Sequence, residues 1–452
     1  MTHVVEAPTL QSLIARVSDS GRLLHVIGSN AVVDSGDYLH WDKLRHKTPP
    51  EGLTHEEWWL ALKSGRRQLL RPIPLTDADG LHFQYGTPDV VLRLLHYVDQ
   101  RCSGSIAMPE VVTADEQARQ HYLVNSLMEE AIRSSQLEGA TTTRRVAKDL
   151  LRSGRPPEDR SERMILNNYR ALQFMRDGIG DTLTPEAVLE LQRVLTDGTL
   201  DYPSGAGRLQ TPEEERVAVL DRSDGHLLHR PPPASQLPGR LRALCDFANE
   251  GEDAEHFVHP VLRAILLHFW LAYDHPFEDG NGRTARALFY WYMRTHGYWL
   301  VEYLSISQIL QQAPSQYARS FLLTETDERD ATYFIVYQLR VAQRAIEELH
   351  DYLNRKVKEI QDVERLVAGG SSEFNHRQLA LLGNAVRNPN HVYTFRSHAT
   401  SHGVTHETAR NDLLPLVRKK LLNRRKTGQR HEFTPAGNLY ELLENGSPGS
   451  PG

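Results

Sequence analysis

The chain has 452 residues, 40% of them hydrophobic, with 52 Lys and Arg against 58 Asp and Glu and a formal net charge of −6. That apolar content can fill two or three domain cores. No apolar run is long enough to span a bilayer, and Met1-Thr2-His3-Val4-Val5-Glu6 lacks the basic-then-apolar pattern of a signal peptide, which argues against a membrane partner and for a cytoplasmic location. Cys102 and Cys245 lie far apart, so neither a disulfide framework nor a zinc site is expected, and the mild acidity still leaves room for one basic domain.

In chain order, residues 1–112 read as a small α+β region, with a turn cluster at Lys47-Thr48-Pro49-Pro50 and a β-like run at Leu23-Leu24-His25-Val26-Ile27. From Asp115 the pattern is helical: Leu123, Leu127, Ala131 and Ser134 share one face of a helix over about 115–139. Thr184-Pro185-Glu186 supplies an N-cap, a first-position proline and an acid in the first turn. It opens the apolar series Val188, Leu191, Val194, Leu195, and His259-Pro260 opens another helix ending near Asp274. Helical patterns continue to about Leu366, so residues 113–366 read as a helical bundle. Inside it, Arg216–Leu220 and His226–Arg230 flank an Asp-Gly turn signal and predict one β-hairpin. Ala368-Gly369-Gly370-Ser371-Ser372 reads as a linker, residues 373–445 as a winged helix-turn-helix rich in Arg and Lys, and residues 446–452 as a flexible tail.

The chemistry concentrates in one loop between two helices, His275-Pro276-Phe277-Glu278-Asp279-Gly280-Asn281-Gly282-Arg283-Thr284-Ala285-Arg286. Gly280-Asn281-Gly282 permits successive N–H groups to turn toward one anion at a helix N-terminus, which is a phosphate cradle. Arg283 and Arg286, at i and i+3, are expected to point to one side and grip further phosphates. Asp279 beside such a cradle calls for a bridging cation, which suggests magnesium, and Glu278 is expected to face solvent. His275, with an ordinary pKa of about 6.5, is a candidate general base, and Phe277 is the loop's apolar anchor. His268, inside the preceding helix, reads as a hydrogen-bonded core residue. Upstream, Glu138 of Ser134-Ser135-Gln136-Leu137-Glu138-Gly139 continues the inward stripe at a helix C-terminus, where a carboxylate needs a cationic partner.

The twelve-residue run resembles the signature of Fic-domain enzymes, without departure, and the resemblance covers about residues 115–366. It implies transfer of AMP from ATP to a hydroxyl of a target protein. The implied roles are His275 as base, Asp279 on Mg2+, Asn281 and the glycine amides on the α-phosphate, Arg283 on the β-phosphate and Arg286 on the γ-phosphate. It also implies that the hairpin is a flap whose edge, Leu227, Leu228, His229 and Arg230, docks the target segment. Ser134, Glu138 and Gly139 resemble the family's inhibitory motif, whose glutamate pairs with the second arginine, here Arg286, and blocks seating of the γ-phosphate. The expected fold is thus mainly α: a Fic bundle with a hairpin flap, an α+β N-terminal region and a C-terminal winged helix.

Autoinhibited AMP transfer to Ser, Thr or Tyr of a target protein or of the chain itself is the leading reading. Removal of AMP by the same site is the second. The third is a DNA-binding regulator whose Fic fold senses nucleotide, with Thr405–Arg410 facing a major groove. Winged helices also dock proteins and dimerise, so a protein partner or a second copy of the chain are the other candidates for that module.

Overall fold

Short polar side chains ahead of apolar periodicity set most helix starts. The computed structural model describes residues 4–29, 37–103, 116–216, 219–220, 227–251, 256–368, 374–389, 391–427 and 430–444. Thr9 caps α1 (Leu10–Asp19), which is followed by α2 (Leu23–Ile27), α3 (Trp41–Leu44) and α4 (His55–Arg67), the last opened by a Thr54–Glu57 capping box. These helices close on Leu13, Val26, Leu44 and Trp59. The run 23–27, expected as a strand, is helix: Val26 N and Gly28 N donate to the carbonyls of Arg22 and Leu24. Only Val26 turns inward while Leu24 is 87% exposed, so one anchor replaces the alternation a strand requires.

An antiparallel pair, β1 (Arg71–Thr76) and β2 (His82–Tyr85), leads into α5 (Asp89–Cys102). The helical bundle follows: α6 (Glu116–Leu137), α7 (Arg144–Ser153), α8 (Arg160–Asp177), α9 (Pro185–Thr196), the short pair β3 (Val219–Leu220) and β4 (Leu227–His229), α10 (Leu237–Asn249), α11 (Pro260–Asp274), α12 (Asn281–Thr295), α13 (Ile306–Gln312), α14 (Pro314–Glu325) and α15 (Thr332–Ala368). Nearly every residue of α11 and α12 is buried, which makes them the central pair that the other helices surround. Residues 1–106 and 122–347 form one unit. Within it, Phe83 of β2 packs edge-on against Phe269 and Tyr273 of α11 at 5.3 and 4.8 Å, so the N-terminal region braces the helix that ends at His275. Cys102 and Cys245 are buried and free.

Residues 107–121 and 348–452 form the second unit. Its order is α16 (His376–Arg387), β5 (Tyr393–Thr394), α17 (Phe395–His402), α18 (His406–Arg418), β6 (Leu422–Thr427), β7 (Arg430–Pro435) and α19 (Leu439–Glu444), with sheet order β5-β7-β6. Leu382, Leu413, Leu416, Leu421 and Phe433 fill its core. Four helices thus pack around one small three-stranded sheet, whose last two strands form a hairpin. The linker glycines at 369–370, the hairpin turn at 221–226, Gly428 and the tail lie outside the described residues.

Candidate active site

α11 ends where Pro276 forbids another turn, and His275 takes the left-handed conformation (φ 44°, ψ 53°) with its N–H still donating to Leu271 O at 3.0 Å. A β-carbon residue in that region is held there by its surroundings. Arg216, just ahead of the hairpin, provides the hold: its Nη2 donates to the carbonyls of Asp274 at 2.7 Å and His275 at 3.2 Å, and its Nε to Pro232 O at 2.9 Å. These are the carbonyls a helix C-terminus leaves unsatisfied. Beside them, buried Asp274 pairs with Arg240 at 2.6 Å and accepts from Trp270 Nε1.

The loop then folds on itself. Asn281 Nδ2 donates to Phe277 O at 2.8 Å and its Oδ1 accepts from Phe277 N at 2.9 Å, while the Phe277 side chain is wholly buried. The Asn281 side chain therefore closes the loop with its oxygen and one of its two Nδ2 hydrogens. Gln192 of α9 donates to Asp279 O at 3.0 Å, and Gln210 N donates to Pro276 O at 3.0 Å, so neighbouring elements hold the loop from outside. Gly280 caps α12 at φ 87°, where a β-carbon would also meet Thr196 Cγ2 at 3.0 Å. Glu278 is half-buried, and its carboxylate occupies the space a side chain at Gly205 would need. Burial pushes its pKa up, and the turn Pro203–Gly205 lies against it, so it faces solvent only in part.

Arg283 and Arg286 diverge. Arg283, with a fully buried side chain, donates to Leu195 O at 2.9 Å and to Asp279 Oδ2 at 3.0 Å. Arg286 turns to α6: its Nε donates to Ser134 Oγ at 2.9 Å, and its Nη2 to Ser134 O at 3.2 Å and to Glu138 Oε1 at 2.8 Å. The single side expected for both fails because positions three apart differ in direction by about 60° around a helix, enough for two long side chains to part. Glu138 follows the last residue of α6, and Gly139 takes φ 105°. The Glu138 carboxylate also lies against Gly282: a β-carbon there would collide with Oε1 and stand 3.0 Å from Arg286 Nη1.

Two features fit a bound polyphosphate. The first-turn amides of α12 lack intrahelical acceptors, as at any helix N-terminus, and the glycine beside them carries no side chain to fill the space. Arg286 Nη1 is buried and makes no hydrogen bond among the described residues. For a divalent cation, the Asp279 side chain, paired through Oδ2 with Arg283, is partly exposed. No group of three or more His, Cys, Asp or Glu side chains that could hold a metal ion occurs among the described residues.

His275 differs from its expected state. Burial, then the positive charge of His229, lower its pKa from 6.5 to about 4, so at neutral pH it is an uncharged base. His268 is a core residue whose Nε2 is hydrogen-bonded with Tyr317 OH at 2.8 Å, its pKa lowered to about 3 by burial and then by Arg286. In the hairpin, Val219 pairs with His229 and Leu220 with Leu227, and Leu228 lies between. Arg230 is exposed beyond the strand end. Arg216, Gln192 and the Asp274–Arg240 pair escaped the sequence reading, since each works through contacts between residues 34 to 87 positions apart.

Residues 182–293 match the family model described as the Fic/DOC family. The chain is 32% identical over 127 residues to the protein adenylyltransferase Fic of Nematostella vectensis, a match covering 27% of this chain and 26% of that protein. It is 27% identical over 169 residues to the protein adenylyltransferase fic-1 of Caenorhabditis elegans, covering 36% of this chain and 30% of that protein. The chain thus spans 30% or less of the length of these two relatives. A crystal structure of a Fic family protein from Desulfovibrio desulfuricans G20 aligns with a TM-score of 0.52 at 17% identity, over 81% of this chain and 99% of that one, a likeness of fold.

Proposed function

We propose that residues 182–293, which match the Fic/DOC family model, make the chain a Fic-domain enzyme that transfers AMP from ATP to a Ser, Thr or Tyr hydroxyl of a protein, with Glu138 holding the transfer in check. In this reaction the acceptor oxygen bonds to the α-phosphorus, the bond from that phosphorus to the bridging oxygen of the β-phosphate breaks, and pyrophosphate leaves. The acceptor's proton passes to the uncharged imidazole of His275. The α12 amides around Gly280 and Gly282 hold the α-phosphate, and Arg286 grips the γ-phosphate once freed from Glu138. Asp279 holds Mg2+, which when bound offsets the phosphates' negative charge. Arg283, fully buried against Leu195 and Asp279, serves to orient Asp279 rather than to meet the β-phosphate. The hairpin offers backbone groups along Leu227–His229 to an extended target segment.

The observation that carries the reading is the Glu138 carboxylate lying at once on Arg286 and against Gly282, in the space the phosphates need. Incubating the wild type and Glu138→Gly with labelled ATP and Mg2+, followed by mass spectrometry, tests it. An AMP adduct on a hydroxyl, stronger in the variant, is the expected result. Free AMP released from pre-modified protein with no adduct formed would instead favour removal of AMP. For the second unit, Arg410, Arg418, Lys420, Arg424, Arg425 and Lys426 are all exposed on α18, the turn after it and β6, and this favours duplex DNA as its partner. A binding titration against salt tests that assignment, affinity falling steeply as salt rises.

A further inference from the structure

We propose that His229 is a positioning residue of this site: as an imidazolium it fastens the β3–β4 hairpin to α11 and α14 and sets a positive charge beside His275. Its Nδ1 lies 2.9 Å from Glu325 Oε2 and its Nε2 lies 2.7 Å from Tyr273 O. A carboxylate and a carbonyl only accept, and a neutral imidazole carries one N–H, so satisfying both contacts takes the doubly protonated ring. The side chain is 9% exposed, and the ring lies 4.6 Å from that of Tyr273. A buried ring nitrogen pointing its lone pair at either oxygen would be costly.

The placement suits a cation. Tyr273 O belongs to the last turn of α11 and Glu325 is the last residue of α14, so two helix C-termini face the ring. The other charged groups nearby are already engaged: Asp274 with Arg240, and Arg216 with the carbonyls of Asp274 and His275. Glu138 opposes the effect at His275, favouring its charged form. Burial pulls His229 toward losing its proton, but Glu325 and the Tyr273 carbonyl outweigh it, and its pKa lies above the ordinary 6.5. At His275, the His229 charge ranks after burial among the influences that keep the ring uncharged. Because the folded pKa of His229 is raised, the stability the pin contributes is full below about pH 6.5 and is lost as pH rises through the folded value.

The pin stands on geometry alone, whereas its effect on catalysis rests on reading His275 as the base. Side-chain NMR of the full chain with labelled histidines tests both parts, the two resonances assigned with His229→Gln and His275→Ala. The expected result is that His229 holds two N–H protons at pH 7. In Glu325→Gln, which keeps the shape, its titration midpoint should fall. In His229→Gln the His275 midpoint should rise by roughly half a pH unit or more, and amide exchange at residues 227–229 should quicken. A singly protonated His229 at pH 7, or an unmoved His275 midpoint in His229→Gln, would overturn the proposal. In the Glu138→Gly background, the acid limb of the AMP-transfer profile should move with the His275 midpoint. If the NMR changes appear and no AMP transfer is ever seen, the pin holds and the transferase reading fails.

Discussion

The two ends of the 275–286 loop are prepared differently. At the histidine end, a left-handed backbone, two carbonyls capped by Arg216 and the nearby His229 charge leave an uncharged imidazole able to take a proton. At the arginine end both guanidinium groups are occupied, Arg283 by Leu195 O and Asp279, Arg286 by Ser134 and Glu138. In the proposed transfer, this is a preset base beside a closed phosphate grip. On the proposed reading, control falls on the arginine end, because a single carboxylate from another helix would be exchanged for a nucleotide phosphate without disturbing the base.

The largest effect should come from breaking the preset end. His275→Ala is expected to lower AMP transfer by about 10²–10⁴-fold while leaving ATP binding close to wild type, as read by initial rates and calorimetry. At the closed end, Glu138→Gly should raise transfer by about tenfold to a hundredfold, the rate equivalent of one charge-assisted hydrogen bond of about 1.5–3 kcal/mol passing from Glu138 to nucleotide. Adding Arg286→Ala should remove most of that gain, which a double-mutant cycle of rates would report.

Stability separates the loop from both of its ends. Asn281→Ala leaves the buried N–H and carbonyl of Phe277 unpaired and should cost about 1–3 kcal/mol for each, measured as a lower denaturant midpoint. Acid dependence sharpens the contrast further. With the His275 pKa lowered to about 4, its base form persists as pH falls, so kcat/KM in Glu138→Gly should keep its histidine-dependent activity between pH 7 and 5.5 and lose it only nearer 4. A limb centred at 6.5 would mean that the neighbours of His275 leave it unperturbed. The smallest effect belongs to Arg216→Gln, which removes a cap on two carbonyls and should cost about 1 kcal/mol in stability.

Much of this was legible in the sequence because it is periodic or punctuated. The start of α9 after Thr184, the stop of α11 before Pro276 and the inward stripe of α6 follow from caps, proline and spacing. The partner of Glu138 came from family resemblance, since spacing could say only that a cation was needed. What stayed hidden depends on distant contacts. The acceptors of His229 lie 44 and 96 residues away, and the perturbation of His275 at the end of α11 arises from burial and a neighbour on β4. The loop-closing contacts of Asn281 were also hidden, because a loop asparagine flanked by glycines suits both anion binding and loop closure, and only the positions of Phe277 N and O reveal the second. Leu23–Ile27 misled because five apolar-rich residues are too few to separate the two periodicities.

The most direct test of a preset base and a closed grip is the ratio of Glu138→Gly to wild-type transfer rates, at saturating ATP and Mg2+, followed from pH 5.5 to 7.5. If the gate acts on phosphate seating alone, the ratio is about tenfold to a hundredfold and level across that range. A ratio near one, or one that changes with pH because Glu138 acts through the protonation of His275, would contradict the account.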